Sequence, residues 1–149
     1  MIFIRERGLQ LVETISFGRI LSGVLQQKTL NITHLFSKPI LIRGLFLSEP
    51  TTYTGSRDVV TDRKEILDWG TRYSQGLSIV EAGVETIFSH GTGDFEGTPI
   101  KLATNNGILR QRGLPPFDEF TISLRILPPE VFSADSFSVN LAIAYTELT

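Results

Sequence analysis

Two histidines, His34 and His90, are the side chains best suited to moving protons near neutral pH, and the chain has no cysteine. A metal centre of the cupin type needs histidines and carboxylates that converge, and two imidazoles far apart in the chain supply that poorly. His34 continues the apolar parity of Leu30, Ile32 and Phe36, which predicts a partly buried, hydrogen-bonded imidazole. His90 opens the run His90-Gly91-Thr92-Gly93-Asp94-Phe95-Glu96-Gly97 and reads as solvated. The glycines of that run could let backbone approach an anion, and Asp94 with Glu96 could hold a hard cation such as calcium. Its spacing fits neither the phosphate loop, the dinucleotide fingerprint nor an EF-hand, so an ordinary connecting loop is the expectation.

Carboxylates stand close together at Asp58 and Asp62, at Glu65 and Asp68, and at Asp118 and Glu119. A glycosidase needs two of them across a cleft, which sequence spacing does not show, and charged turns account for them as well. No serine sits in Gly-x-Ser-x-Gly. Trp69, Tyr73 and Tyr53 could stack on sugar rings or could pack as a cluster over a sheet. The expectation is a protein with no catalytic residues, no cofactor and no metal.

The elements that would position any site are mostly strands. Phe120, Ile122, Leu124 and Ile126 alternate with Thr121, Ser123 and Arg125, and Phe137, Val139, Leu141, Ile143 and Tyr145 alternate with Ser136, Ser138, Asn140, Ala142, Ala144 and Thr146, the two runs joined by a proline-containing turn. Period-two alternation gives each strand one apolar and one polar face. Gln27–Phe36 reads as another strand, and Pro39–Leu47 is so continuously apolar that both its faces should be covered. Gly18 and Gly23 argue against a helix over Thr14–Leu25. Ser48–Ser56 reads as turns. Asp62 and Glu65 open a possible helix with Ile66, Trp69 and Tyr73 on one side, against which Gly70 and Gly76 speak. Short strands follow at Gly76–Ala82, Val84–Ser89 and Ile100–Ala103. The pattern predicts one all-β domain over residues 1–149, an antiparallel β-sandwich or jelly roll with at most one short helix.

Composition narrows the partners. The chain has 149 residues, 41% hydrophobic and 20% charged, with a formal net charge of -2. That balance favours a folded domain and gives no general attraction to nucleic acid or anionic membrane. Without cysteine, burial alone must hold the fold together. The N-terminus lacks the layout of a signal peptide, and no run approaches the roughly eighteen apolar residues that span a bilayer. Ten arginines stand against four lysines, beside ten phenylalanines, a bias seen in protein–protein interfaces.

The near-continuous Pro39–Leu47 strand, the Phe120–Leu127 and Phe137–Thr146 strands, and a possible arm at Met1–Glu13 together resemble the small β-sandwich or jelly-roll proteins of tailed bacteriophage particles, particularly capsid decoration (cement) proteins. The likeness is architectural and carries no family motif. It implies a virion protein assembled in the host cytoplasm, often trimeric, that binds the major capsid protein or other virion subunits and stiffens the shell. Contacts would then involve Ile2, Phe3, Ile4 and Arg5 in the arm and Arg110 and Arg112 at a loop end. Two alternatives are a lectin-like carbohydrate-binding sandwich built on Trp69 and Tyr73, and a head–tail connector or tail protein.

Overall fold

The computed structural model describes residues 2–4, 10–54, 63–91, 100, 119–129 and 134–147. Among them are the strands β1 (Ile2–Ile4), β2 (Gln10–Ile20), β3 (Gln26–His34), β4 (Ile40–Thr54), β5 (Gly76–Glu81), β6 (Val84–Ile87), β7 (Glu119–Leu127) and β8 (Ala134–Glu147). One helix, α1 (Arg63–Tyr73), lies between β4 and β5. The strands form a five-stranded sheet in the order β1-β3-β7-β5-β6 and a three-stranded sheet in the order β2-β8-β4. Pairing is antiparallel except between β1 and β3. The fold is therefore the all-β sandwich that the alternation predicts.

The two alternating C-terminal strands, consecutive in the chain, do not pair with each other. β7 lies between β3 and β5 in one sheet, while β8 lies between β2 and β4 in the other. Each sheet has one apolar face, and the two faces must meet across a shared core, so consecutive strands can serve opposite layers. Ile122, Leu124 and Ile126 enter the core from one side, and Phe137, Val139, Leu141, Ile143 and Tyr145 from the other. Burying those five β8 side chains is worth at most roughly 7–15 kcal/mol before entropy costs.

β2 occupies much of the stretch over which a helix was disfavoured, and it accommodates Gly18 through a register shift against β8 between Ser16 and Gly18. Bulges of this kind let a strand bend without losing its sheet. β4 differs from expectation in two respects. It runs on to Thr54 through the stretch read as turns, absorbing Pro50 in an irregularity between Ser48 and Thr52. Proline is tolerated in such places because the ladder is already interrupted there. Its two faces are also unequally covered where both were expected to be, at a border of the sheet where Ile100 bridges Leu45. Its inward residues Ile40, Ile42, Leu45 and Leu47 are buried, whereas outward Leu41 and Phe46 are half-buried and Arg43 is exposed.

The helix forms as the Asp62/Glu65 signal suggests, with Ile66, Leu67, Trp69 and Gly70 buried. Tyr73 does not join that face; it is 54% exposed at the helix end. Gly70 marks a close approach rather than a weakness: a Cβ there would lie 2.0 Å from the Phe88 carbonyl oxygen. β5 and β6, the two short strands expected here, pair as a hairpin whose turn residues Ala82 and Gly83 have φ of 53° and 79°. Positive φ at both central residues is the turn type that suits strand twist.

Candidate functional site

The outer face of the five-stranded sheet carries most of the polar chemistry. On β3 and β7, the Thr121 hydroxyl donates to Asn31 Oδ1 at 2.6 Å, and Gln27 Nε2 donates to the Ser123 hydroxyl at 3.4 Å. Further along, Arg125 of β7 projects from the same face beside Ser78 of β5, its cross-strand partner. Arg125 Nη1 donates to Glu85 Oε2 at 2.9 Å, and the Ser78 hydroxyl donates to the same oxygen at 3.0 Å. Glu85 belongs to β6, so three neighbouring strands contribute one polar group each.

These groups line a cleft of about 140 Å³. Leu25, Ile87 and Leu127 supply apolar walls, and Ser74, Gln75 and Gly76, where the chain leaves α1, supply another side. Ser74 has φ of 50°, the left-handed conformation that usually belongs to glycine after a helix. Holding a side chain in that conformation costs roughly 1 kcal/mol. The Arg125 side chain is 29% exposed, yet its Nε is shut off from solvent and has no hydrogen-bond partner among the described residues. The arrangement offers an oriented guanidinium, an adjacent carboxylate and an apolar lining.

His90 is not simply solvated. Its Nε2 lies 2.7 Å from Asp68 Oδ1, and its backbone N–H donates to the Thr71 hydroxyl at 3.0 Å. Thr71 in turn donates to the Leu67 carbonyl at 3.0 Å. The pair staples the segment after β6 to α1, and Asp68 is thereby accounted for apart from Glu65. His34 is wholly buried, more deeply than its parity suggests, with its ring 6.1 Å from that of Phe36. Phe36 lies 6.2 Å from Tyr145, which places the imidazole in an aromatic row at the core margin.

The residues expected to make contacts divide. Ile2, Phe3 and Ile4 form β1 and pair in register with Ile32, Thr33 and His34 of the same chain. Arg5, Arg110 and Arg112 lie outside the described residues, as do Asp94, Glu96 and Tyr53 as a side chain. Trp69 is 5% exposed, packed beneath the helix, so the proposed Trp69–Tyr73 sugar platform does not exist. No group of three or more potential metal ligands occurs among the described residues. No described helix is long and apolar enough to cross a membrane.

A second surface lies at the same end of the sandwich as the cleft. The β2–β3 turn exposes Leu21, Val24 and Leu25 by 41–46%. It is held by Gly23 N–H donating to the Pro128 carbonyl at 3.0 Å and Val24 N–H donating to the Leu21 carbonyl at 3.1 Å. Neither this turn nor the Arg125 cleft was legible beforehand as a site. The available signal was modest: a lone arginine among Glu119, Thr121 and Ser123 on the polar face of β7, and three aliphatics where a turn usually carries polar residues. No protein-family model, curated protein or solved structure matches this chain.

Proposed function

We propose that the chain is a structural subunit that binds other proteins in an assembly and stabilises it by bridging neighbours, as a capsid decoration protein does for a shell. The observation that carries this reading is the β2–β3 turn. Three large aliphatic side chains within five residues face water there, on a backbone tied to Pro128 across the sandwich end. Covering them against a partner recovers apolar burial, and the tied backbone spares the ordering cost that a loose loop would incur. Apolar surface grouped in this way characterises contact sites more than scattered exposed residues do. The arginine-over-lysine bias and the phenylalanine content add compositional support. Within this reading the particle is a virion, the partner is its major capsid protein, and Ile2–Ile4, Arg5, Arg110 and Arg112 extend the contact.

Light scattering on the full chain and on a Leu21→Ser/Val24→Ser/Leu25→Ser variant tests it. The wild type should form a homo-oligomer, or bind purified shells of its source particle, and the variant should lose that association while keeping its strand-rich circular dichroism. A wild type that stays monomeric and binds no shell, or a variant that associates equally well, refutes it. Deleting residues 1–13 is a poorer test, since it removes β1 and the start of β2 together.

A further inference from the structure

We infer that the cleft at Arg125 is a binding site for a monocarboxylate on a short apolar stem. The guanidinium is already oriented, because Nη1 donates to Glu85 Oε2 at 2.9 Å and Ser78 holds that same oxygen at 3.0 Å. Nη1 lies on the Cδ side of the guanidinium. Glu85 therefore occupies one edge and leaves the opposite edge, Nε with Nη2, which is the fork that matches a carboxylate with two parallel hydrogen bonds. Nε on that edge lacks a partner among the described residues, and a buried donor without an acceptor is a standing cost that a ligand oxygen would remove. Nε is shut off from solvent, so a ligand meets it only once the groups covering it shift. Leu25, on the exposed turn, is the most exposed of the apolar walls.

Size and charge narrow the ligand. The cleft measures about 140 Å³, close to the roughly 150 Å³ of an engineered cavity in another protein that accepts benzene. A stem of a few carbons therefore fits against Leu25, Ile87 and Leu127. Glu85 already balances the charge of Arg125, so a ligand gains from the directional fork rather than from net charge, and a monoanion meets less repulsion from the neighbouring carboxylate than a phosphate dianion would. The cleft shares Leu25 with the exposed β2–β3 turn, but acid binding at Arg125 does not depend on the assembly role. The acid could be a free small molecule or a glutamate of a bound chain, and both present the same chemistry.

The test is a titration of the full chain with sodium butyrate, followed in proton–nitrogen correlation spectra that include arginine Nε–H signals. A parallel titration uses the capped tripeptide acetyl-Ala-Glu-Ala-amide, with sodium chloride as the ionic control. Butyrate should shift the Arg125 Nε–H and the amides of Gly76 and Ser78 at millimolar concentrations. Arg125→Lys, which keeps the charge but not the fork, should weaken binding about tenfold or more. Glu85→Gln should strengthen it several-fold by removing the competing charge. Butyrate binding without the peptide assigns a free acid; binding of both assigns a partner's acidic side chain. An Arg125 Nε–H that stays fixed, or moves equally in chloride, overturns the site. So does unchanged affinity in a folded Arg125→Lys variant, and the wild-type Nε–H signal decides the matter if that variant does not fold.

Discussion

Replacing Gly70 by alanine separates two effects that predict opposite signs. Alanine is the better helix former by about 1 kcal/mol, so α1 considered alone should gain stability. In the folded chain the added Cβ would lie 2.0 Å from the Phe88 carbonyl oxygen and 3.0 Å from Ile87 Cγ2. A carbon and a carbonyl oxygen need more than 3 Å, so the helix and the segment after β6 must separate by about an ångström, a large displacement for a packed interior. Phe88 is fully buried, and its N–H donates to the Leu77 carbonyl at 2.9 Å, so its backbone has little room to retreat. Overpacking of this kind costs roughly 1–3 kcal/mol, and more where backbone rather than a side chain is struck. Net destabilisation should therefore be about 2 kcal/mol. For a domain of this size that lowers Tm by roughly 4–8 °C. Thermal unfolding followed by circular dichroism, with urea unfolding as a second measure, reads it directly. An unchanged or raised Tm would show that helix propensity outweighs the contact and that the approach of α1 to Phe88 is misdescribed.

Three further substitutions probe the core, a turn and the Arg125–Glu85 pair. Phe137→Ala empties a fully buried site whose ring lies 6.2 Å from that of Phe17, and should cost about 3–5 kcal/mol in urea unfolding. Ala82→Asn relieves a left-handed alanine in the β5–β6 turn and should raise stability by about 0.5–1 kcal/mol; a loss would contradict the turn geometry. Glu85→Gln breaks an ion pair whose side chains are 29% and 43% exposed, and should change unfolding free energy by less than about 1 kcal/mol. A larger loss there would mean that the pair supports the sheet rather than a ligand.

Several elements were readable because their signal is local. β3, β7 and β8 follow from alternation, the β5–β6 hairpin from Gly83 between two short apolar runs, and α1 from Ile66 and Trp69 spaced by a helical turn. Other features misled because their cause lies elsewhere in the chain. Gly70 looked like a helix weakness, and its cause is the Phe88 carbonyl eighteen positions later. Pro50 looked like the end of a strand, yet β4 continues because β8 still pairs with Thr52, Tyr53 and Thr54. His90 looked solvated because nothing near it in sequence announces Asp68. Trp69 reads more readily as part of a cluster packed on a sheet than as a sugar platform, and its burial in α1 agrees with the first.

Period-two alternation by itself determined that this is a sandwich-forming chain, since side-chain direction along a strand follows from backbone geometry alone. It placed Arg125 on the polar face of its strand and could go no further. Which strands flank β7, and therefore which groups meet that arginine, depends on how two apolar faces close over one core. That closure put the C-terminal strands in different sheets and brought Glu85, forty residues from Arg125, to 2.9 Å. The faces of strands are a local property, and the neighbours of strands are a property of the whole chain.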